Sequence, residues 1–160
     1  MYMKKFELKN LTEYFGDFLP AGKINNRETR IAIVLLYSSL RKKNKEVLEE
    51  IEENRKNLVG DKEQEAAEYS RLLQMSMNPN LTQEERDEFK KKADSMTDCV
   101  KLDQDFSDIV QKIFNEDVDV EVKKIPLELL YDALSDCGFP NLGEDCPISV
   151  VEQQFESVIL

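Results

Sequence analysis

Three sets of residues in this chain have the types and approximate spacing that chemistry would need. The first is "GDFLPAGKINNRETR", residues 16–30. A glycine, then Gly-Lys, then a helix-favouring run has the outline of a phosphate-binding loop. Such a loop reads G-x-x-x-x-G-K-[ST]: glycines let backbone amides approach the phosphates, the lysine reaches the terminal ones, and the hydroxyl holds magnesium. Here five residues separate Gly16 from Gly22, and Ile24 stands where the hydroxyl should be. No parallel β-α-β pattern follows. What remains is a weaker chemistry. Lys23, Arg27 and Arg30 near a helix start could hold an anion or an acidic partner.

The second set is "DQDFSD", residues 103–108, which begins like a calcium loop. That loop wants glycine at its sixth position and a bidentate glutamate at its twelfth. Asp108 and Phe114 stand there instead, and Phe106, Ile109 and Ile113 give the segment helical spacing. The third set is Cys99, Cys137 and Cys146. Cys137 and Cys146 flank one loop, but the spacing matches no zinc motif. There is no histidine, so Ser-His-Asp and Cys-His sites are impossible and the usual general base is missing. The expectation is a non-enzymatic chain with no catalytic residue, no metal and no cofactor, its cysteines reduced thiols.

The elements that would position these residues are mostly helical. "KKFELK" alternates Phe6 and Leu8 with charges, a strand pattern, and "LTEYFGDFL" has helical spacing at Leu11, Tyr14, Phe15 and Phe18. Asn25 with Glu28 resembles a capping box that opens a long helix from Arg27 to Val59. Its first part, "IAIVLLYSSL", is apolar nearly all round, which predicts burial on every side. Its second part keeps a thin stripe of Val47, Ile51 and Leu58. Gly60 reads as a kink, or Asp61 with Gln64 as a fresh cap. "NPNLT", residues 78–82, is a turn, and Thr82 with Glu85 a second capping box. A further helix then runs to about Asn115.

Folding the chain back at 78–82 sets Tyr69 against Phe89, Ala66 against Ala93, Leu58 against Leu102, Ile51 against Ile109 and Val47 against Ile113. Apolar meets apolar at each level. This predicts a protruding antiparallel helical hairpin over 43–116, each arm roughly 50 Å long at 1.5 Å per residue. Beyond it, "VDVEVKKI" reads as a strand, Pro126 opens a helix that Gly138 stops, and "ISVVEQQFESVIL" reads as a last helix. The resulting fold class is mostly α (α+β). One domain, 1–160, has a base from 1–42 and 117–160 with a short two-stranded sheet.

Charge is segregated. The net charge is −11, yet residues 1–102 carry 19 acids and 19 bases, while 103–160 carry 14 acids and 3 bases. Direct nucleic-acid binding is disfavoured, since it needs clustered excess cations. No run of 18 apolar residues occurs and the start lacks a signal-peptide core, so neither a membrane span nor secretion is expected. Near the turn, "LLQMSMNPNL" places Leu72, Met75 and Met77 opposite the polar "TQEERD". Flexible methionines suit adaptable contacts. These three residues are therefore an expected interaction surface at the hairpin tip.

Residues 3–50, through "ELKNLTEYFGDFL", then "AGKINNRETR", then a long helix, resemble a family of small proteins of unknown function from tailed bacteriophages. Lys23, Arg27 and Arg30 match that outline. The resemblance implies a phage origin and a non-enzymatic role, in virion assembly or in contact with a host protein, within the host cytoplasm or the virion. The expected function is a protein–protein interaction factor of structural, assembly or chaperone type, with self-association to cover the thin stripe. Two alternatives are an inhibitor of a host protein that uses an acidic face, and a small-molecule or anion binder at residues 23–30.

Overall fold

The computed structural model describes residues 1–17, 19, 21–138 and 155–160. Its elements in chain order are β1 (Tyr2–Lys4), α1 (Lys5–Asp17), α2 (Arg27–Val59), α3 (Glu63–Ser76), α4 (Gln83–Ser95), α5 (Thr97–Asn115), β2 (Asp117–Asp119) and α6 (Leu127–Asp136). The fold is mostly helical with one short antiparallel pair of strands. It divides into two compact units, residues 1–48 with 114–160, and residues 49–113.

In the first unit, β1 pairs with β2, and Met3 opposite Val118 puts two buried side chains on one face. The strand lies upstream of where the Phe6/Leu8 alternation places it. Both residues belong to α1 instead. Leu8, Leu11 and Phe15 form one buried helical face while Phe6 points outward. A helical period sustained over eight residues outweighs a two-residue alternation. Lys5 marks the switch: its backbone N–H donates to the Glu116 carbonyl (3.0 Å) and its Nζ to Glu116 Oε2 (2.7 Å).

The end of the chain closes this core. Phe155 packs against Tyr14 and Phe15, with ring centres 5.0 and 5.8 Å apart. Ile159 then bridges Ile125 in parallel. The last five residues are thus a turn and a bridge rather than the end of a helix, and the Ile148–Gln154 part of that expected helix lies outside the described residues. At α6, Pro126 opens the helix and Gly138, with φ +78°, follows its end, as the sequence predicts.

The start of α2 is shifted by one residue from the expected cap. Asn26, not Asn25, accepts from the N–H groups of Glu28 (2.8 Å) and Thr29 (3.2 Å). Asn25 instead donates to both carboxylate oxygens of Asp136. Within α2, Ile33, Leu36 and Leu40 are buried, but Ile31, Val34 and Leu35 are 48, 45 and 46% exposed. Among the described residues, the all-round apolar stretch is therefore covered on one face. Thr29 is completely buried and its hydroxyl has no hydrogen-bond partner. Replacing it by the near-isosteric Val removes an unsatisfied polar group, and Thr29→Val should raise stability by about 1 kcal/mol in a denaturant titration.

In the second unit, α2 ends at Val59. Gly60 takes a left-handed conformation (φ +57°), and a short 3-10 turn over Gly60–Lys62 leads into α3. The glycine therefore stops the helix instead of bending it, and Asp61 caps nothing, since Lys62 precedes α3 with no side-chain cap. The returning arm is also broken, at Met96 (φ −83°, ψ 67°), where a single helix to Asn115 was expected. Ser95 donates its hydroxyl to the Lys92 carbonyl (2.6 Å), which competes with continued helix, and Thr97-Asp98 suits a new start.

Just past the two breaks, Lys62 Nζ meets Asp98 Oδ2 at 2.9 Å. Each holds the other charged: the ammonium raises its pKa on the carboxylate and the carboxyl lowers its own on the ammonium. This pair lies on the register that the fold-back predicts. α3 and α4 pack against each other, with Leu72 and Ala93 buried, and Leu58, Tyr69, Leu73, Leu102 and Phe106 line one crevice.

Candidate functional site

The residues that could hold an anion do not act as a set. Arg30 is committed locally, donating from Nε (2.9 Å) and Nη2 (2.6 Å) to the Ile24 carbonyl. That bidentate bond fastens the turn before α2. Lys23 ends the 3-10 turn Ala21–Lys23 and is exposed. The first-turn amides of Glu28 and Thr29 already bond Asn26. Of the three cations, Arg27 lines a cavity. Gly16 is not a loop glycine either. It lies within α1, and a β-carbon added there would sit 3.0 Å from the Tyr37 hydroxyl. Its smallness serves helix packing.

The cavity at Arg27 is a groove of about 570 Å³. One wall is the outward face of α2: Arg27, Ile31 and Leu35 at four-residue intervals. The other is the segment Lys123–Pro126 with Leu129 of α6. Why the chain builds it is local. Ile125 bridges Ile159 and Pro126 opens α6, and the residues just before them line the groove opposite α2. That leaves an apolar floor with Arg27, Lys123 and Lys124 at its edges. None of these three cations has an ion pair within the described residues. Glu28 is the one carboxylate in the lining.

At the turn between α3 and α4, the predicted interaction residues divide. Leu72 is only 6% exposed and belongs to the interior of the second unit. Met75 is half-buried, and Met77 is 74% exposed. The turn itself is well built. Asn78 Oδ1 accepts from the Asn80 N–H, and Thr82 and Glu85 form the reciprocal capping box. The two bonds from Thr82, backbone and hydroxyl, hold the Glu85 carboxyl below its usual pKa.

The two described cysteines, Cys99 and Cys137, are free thiols, the first buried and the second half-buried. Burial pushes the thiol pKa of both Cys99 and Cys137 up, away from the reactive thiolate. Cys146 lies outside the described residues. Residues 103–108 are helical, within α5. Among the described residues, no three Asp, Glu or Cys side chains converge as a metal site, and no helix is long and apolar enough to cross a membrane. The groove presents cations around an apolar floor.

Sequence reasoning missed Ile31, Leu35, Lys123 and Lys124 as site residues. A signal for them existed. Lys123 and Lys124 are two of only three bases in residues 103–160, and they sit where the acidic third turns towards α6. Comparison with family models, curated proteins and solved structures returns no match to this chain.

Proposed function

We propose that this chain is a non-enzymatic protein–protein interaction factor, and that the outward face of α2 is its contact surface. The observation that carries this reading is the row Ile31, Val34 and Leu35, large apolar side chains at helical spacing that are each about half exposed. Single exposed apolar residues are ordinary, but an adjoining set beside a groove marks interaction surfaces. The resemblance of residues 3–50 to tailed-phage proteins supplies the setting: a structural, assembly or chaperone role in a phage, with a phage or host protein as partner, or with further copies of this chain.

The test is affinity capture from a bacterial lysate with the parent and with Ile31→Lys/Leu35→Lys in parallel, followed by reconstitution of any pair from purified proteins. The reading expects a partner whose affinity drops at least about tenfold, or 1.4 kcal/mol, with the thermal midpoint unchanged. A purified pair that binds parent and variant equally overturns it. If salt alone releases that pair, the acidic third of the chain becomes the contact, and the inhibitor role replaces the assembly role.

A further inference from the structure

We infer that the α2 groove takes an extended, acidic peptide segment carrying apolar side chains, supplied by a partner protein. This rests on the interaction reading above and adds the chemistry of the partner. Three observations carry it.

The first is charge. The chain as a whole is strongly acidic, at −11, yet the groove edge carries Arg27, Lys123 and Lys124 against Glu28. At physiological salt, charges separated by more than about 8 Å are largely screened. A bound segment therefore feels the groove's local positive excess more than the net charge of the chain. Cations without partners beside apolar surface favour carboxylates interspersed with apolar residues.

The second is length. Next to the groove along α2 lies a cleft of about 700 Å³ between Ser39–Glu46 and Asp119–Lys123, with Lys123 lining both. In that cleft Glu46 already pairs with Lys43 and Asp119 with Met1 N, which leaves Lys42 and Lys123 against Glu121. From Arg27 to Glu46 the trough spans about 30 Å at 1.5 Å per helical residue. An extended chain rises about 3.3 Å per residue. The trough thus suits a segment of roughly nine residues, longer than a compact small molecule needs.

The third is the backbone of the far wall. Val120 exchanges backbone bonds with Met1, and Ile125 bonds Val158 and Leu160. Between them, Glu121–Lys124 make no backbone hydrogen bond with any described residue. A stretch outside regular structure with unpaired main-chain groups can accept an added strand, whose backbone supplies affinity while alternate side chains supply specificity.

The experiment is selection of a displayed random peptide library, about a dozen residues long, on the full chain, followed by binding measurements with synthetic peptides. The expected winners combine Asp or Glu with Leu, Ile or Phe. Their affinity should fall with added salt and drop at least tenfold for Lys123→Glu/Lys124→Glu, and likewise for Leu35→Lys, with both variants melting like the parent. Winners with no acidic bias that still lose binding to Leu35→Lys overturn the acidic specificity and leave the interaction surface standing. Winners indifferent to Leu35→Lys, or no winners at all, overturn the groove. Concentration-dependent dimerisation abolished by Leu35→Lys makes a second copy the occupant and also overturns the proposal. Should either variant melt early, Lys123→Ala and Leu35→Ala give the same readout with less disturbance.

Discussion

Phe15→Ala should strongly destabilise the first unit and bring it towards the edge of unfolding. Phe15 is 2% exposed, on the buried face of α1 with Leu8 and Leu11, and its ring meets that of Phe155 edge-on. Truncating a buried phenylalanine costs about 3–5 kcal/mol, the lost transfer energy plus the cavity left behind. Domains of this size are stable by only about 5–15 kcal/mol. The loss spreads further than one side chain. Phe155 is anchored by Tyr14 and Phe15, and four residues later Ile159 bridges Ile125 ahead of α6. Releasing the ring loosens the docking of 155–160, and with it one wall of the groove. Circular dichroism against urea should show a midpoint shift comparable for Phe15→Ala and Phe155→Ala, and a double variant less damaged than the sum of the two, because the pair shares one contact. Two independent, additive losses would mean that the rings do not act together.

The pattern of what could be read from the sequence follows from the range of the forces involved. Local signals were legible. Thr82 with Glu85 caps α4 through two short-range bonds that any chain with those residues can make. Gly138 stops α6 because a left-handed residue favours glycine. The long helix Arg27–Val59 emerges from sustained periodicity. Comparing two stripes in one chain also set a fold-back register, on which the Lys62–Asp98 pair falls. What could not be read are choices made between nearly equal local options. Asn25 and Asn26 are both good caps, and the selection of Asn26 depends on Asp136, 111 positions away, binding Asn25. Composition likewise does not say which face of "IAIVLLYSSL" is covered, as every face is apolar. The groove arises from that undecided face meeting a segment fixed by the Ile125–Ile159 bridge. It is a product of contacts distant in sequence, so Lys123 and Lys124 looked like ordinary surface lysines, and Arg27 stood out only as part of the 23–30 cluster.

Leu72 and Met77 should respond to mutation in opposite ways. In the sequence they belong to one patch, five residues apart, and both look like candidates for a contact surface. In the structure Leu72 is buried where α3 packs on α4, while Met77 follows the last turn of α3 with most of its surface in solvent. Leu72→Ala should therefore destabilise the second unit by about 2–4 kcal/mol, in the range for truncating a buried leucine. Hydrogen exchange is the appropriate measurement, because it reports each unit separately. Amides of α3 and α4 should lose protection while those of α1 and α6 keep theirs. Met77→Ser removes no buried contact, so protection should stay within about 0.5 kcal/mol of the parent, as for ordinary surface changes. The comparison also decides what the tip can do. If Met77→Ser leaves both folding and association unchanged, the exposed methionine is only the end of a turn and α2 carries the contact alone. If it lowers association at unchanged protection, the turn is a second contact point. Equal protection for Leu72→Ala and the parent would mean that α3 does not depend on α4 for its stability, contrary to the contact of the two helices and the burial of Leu72.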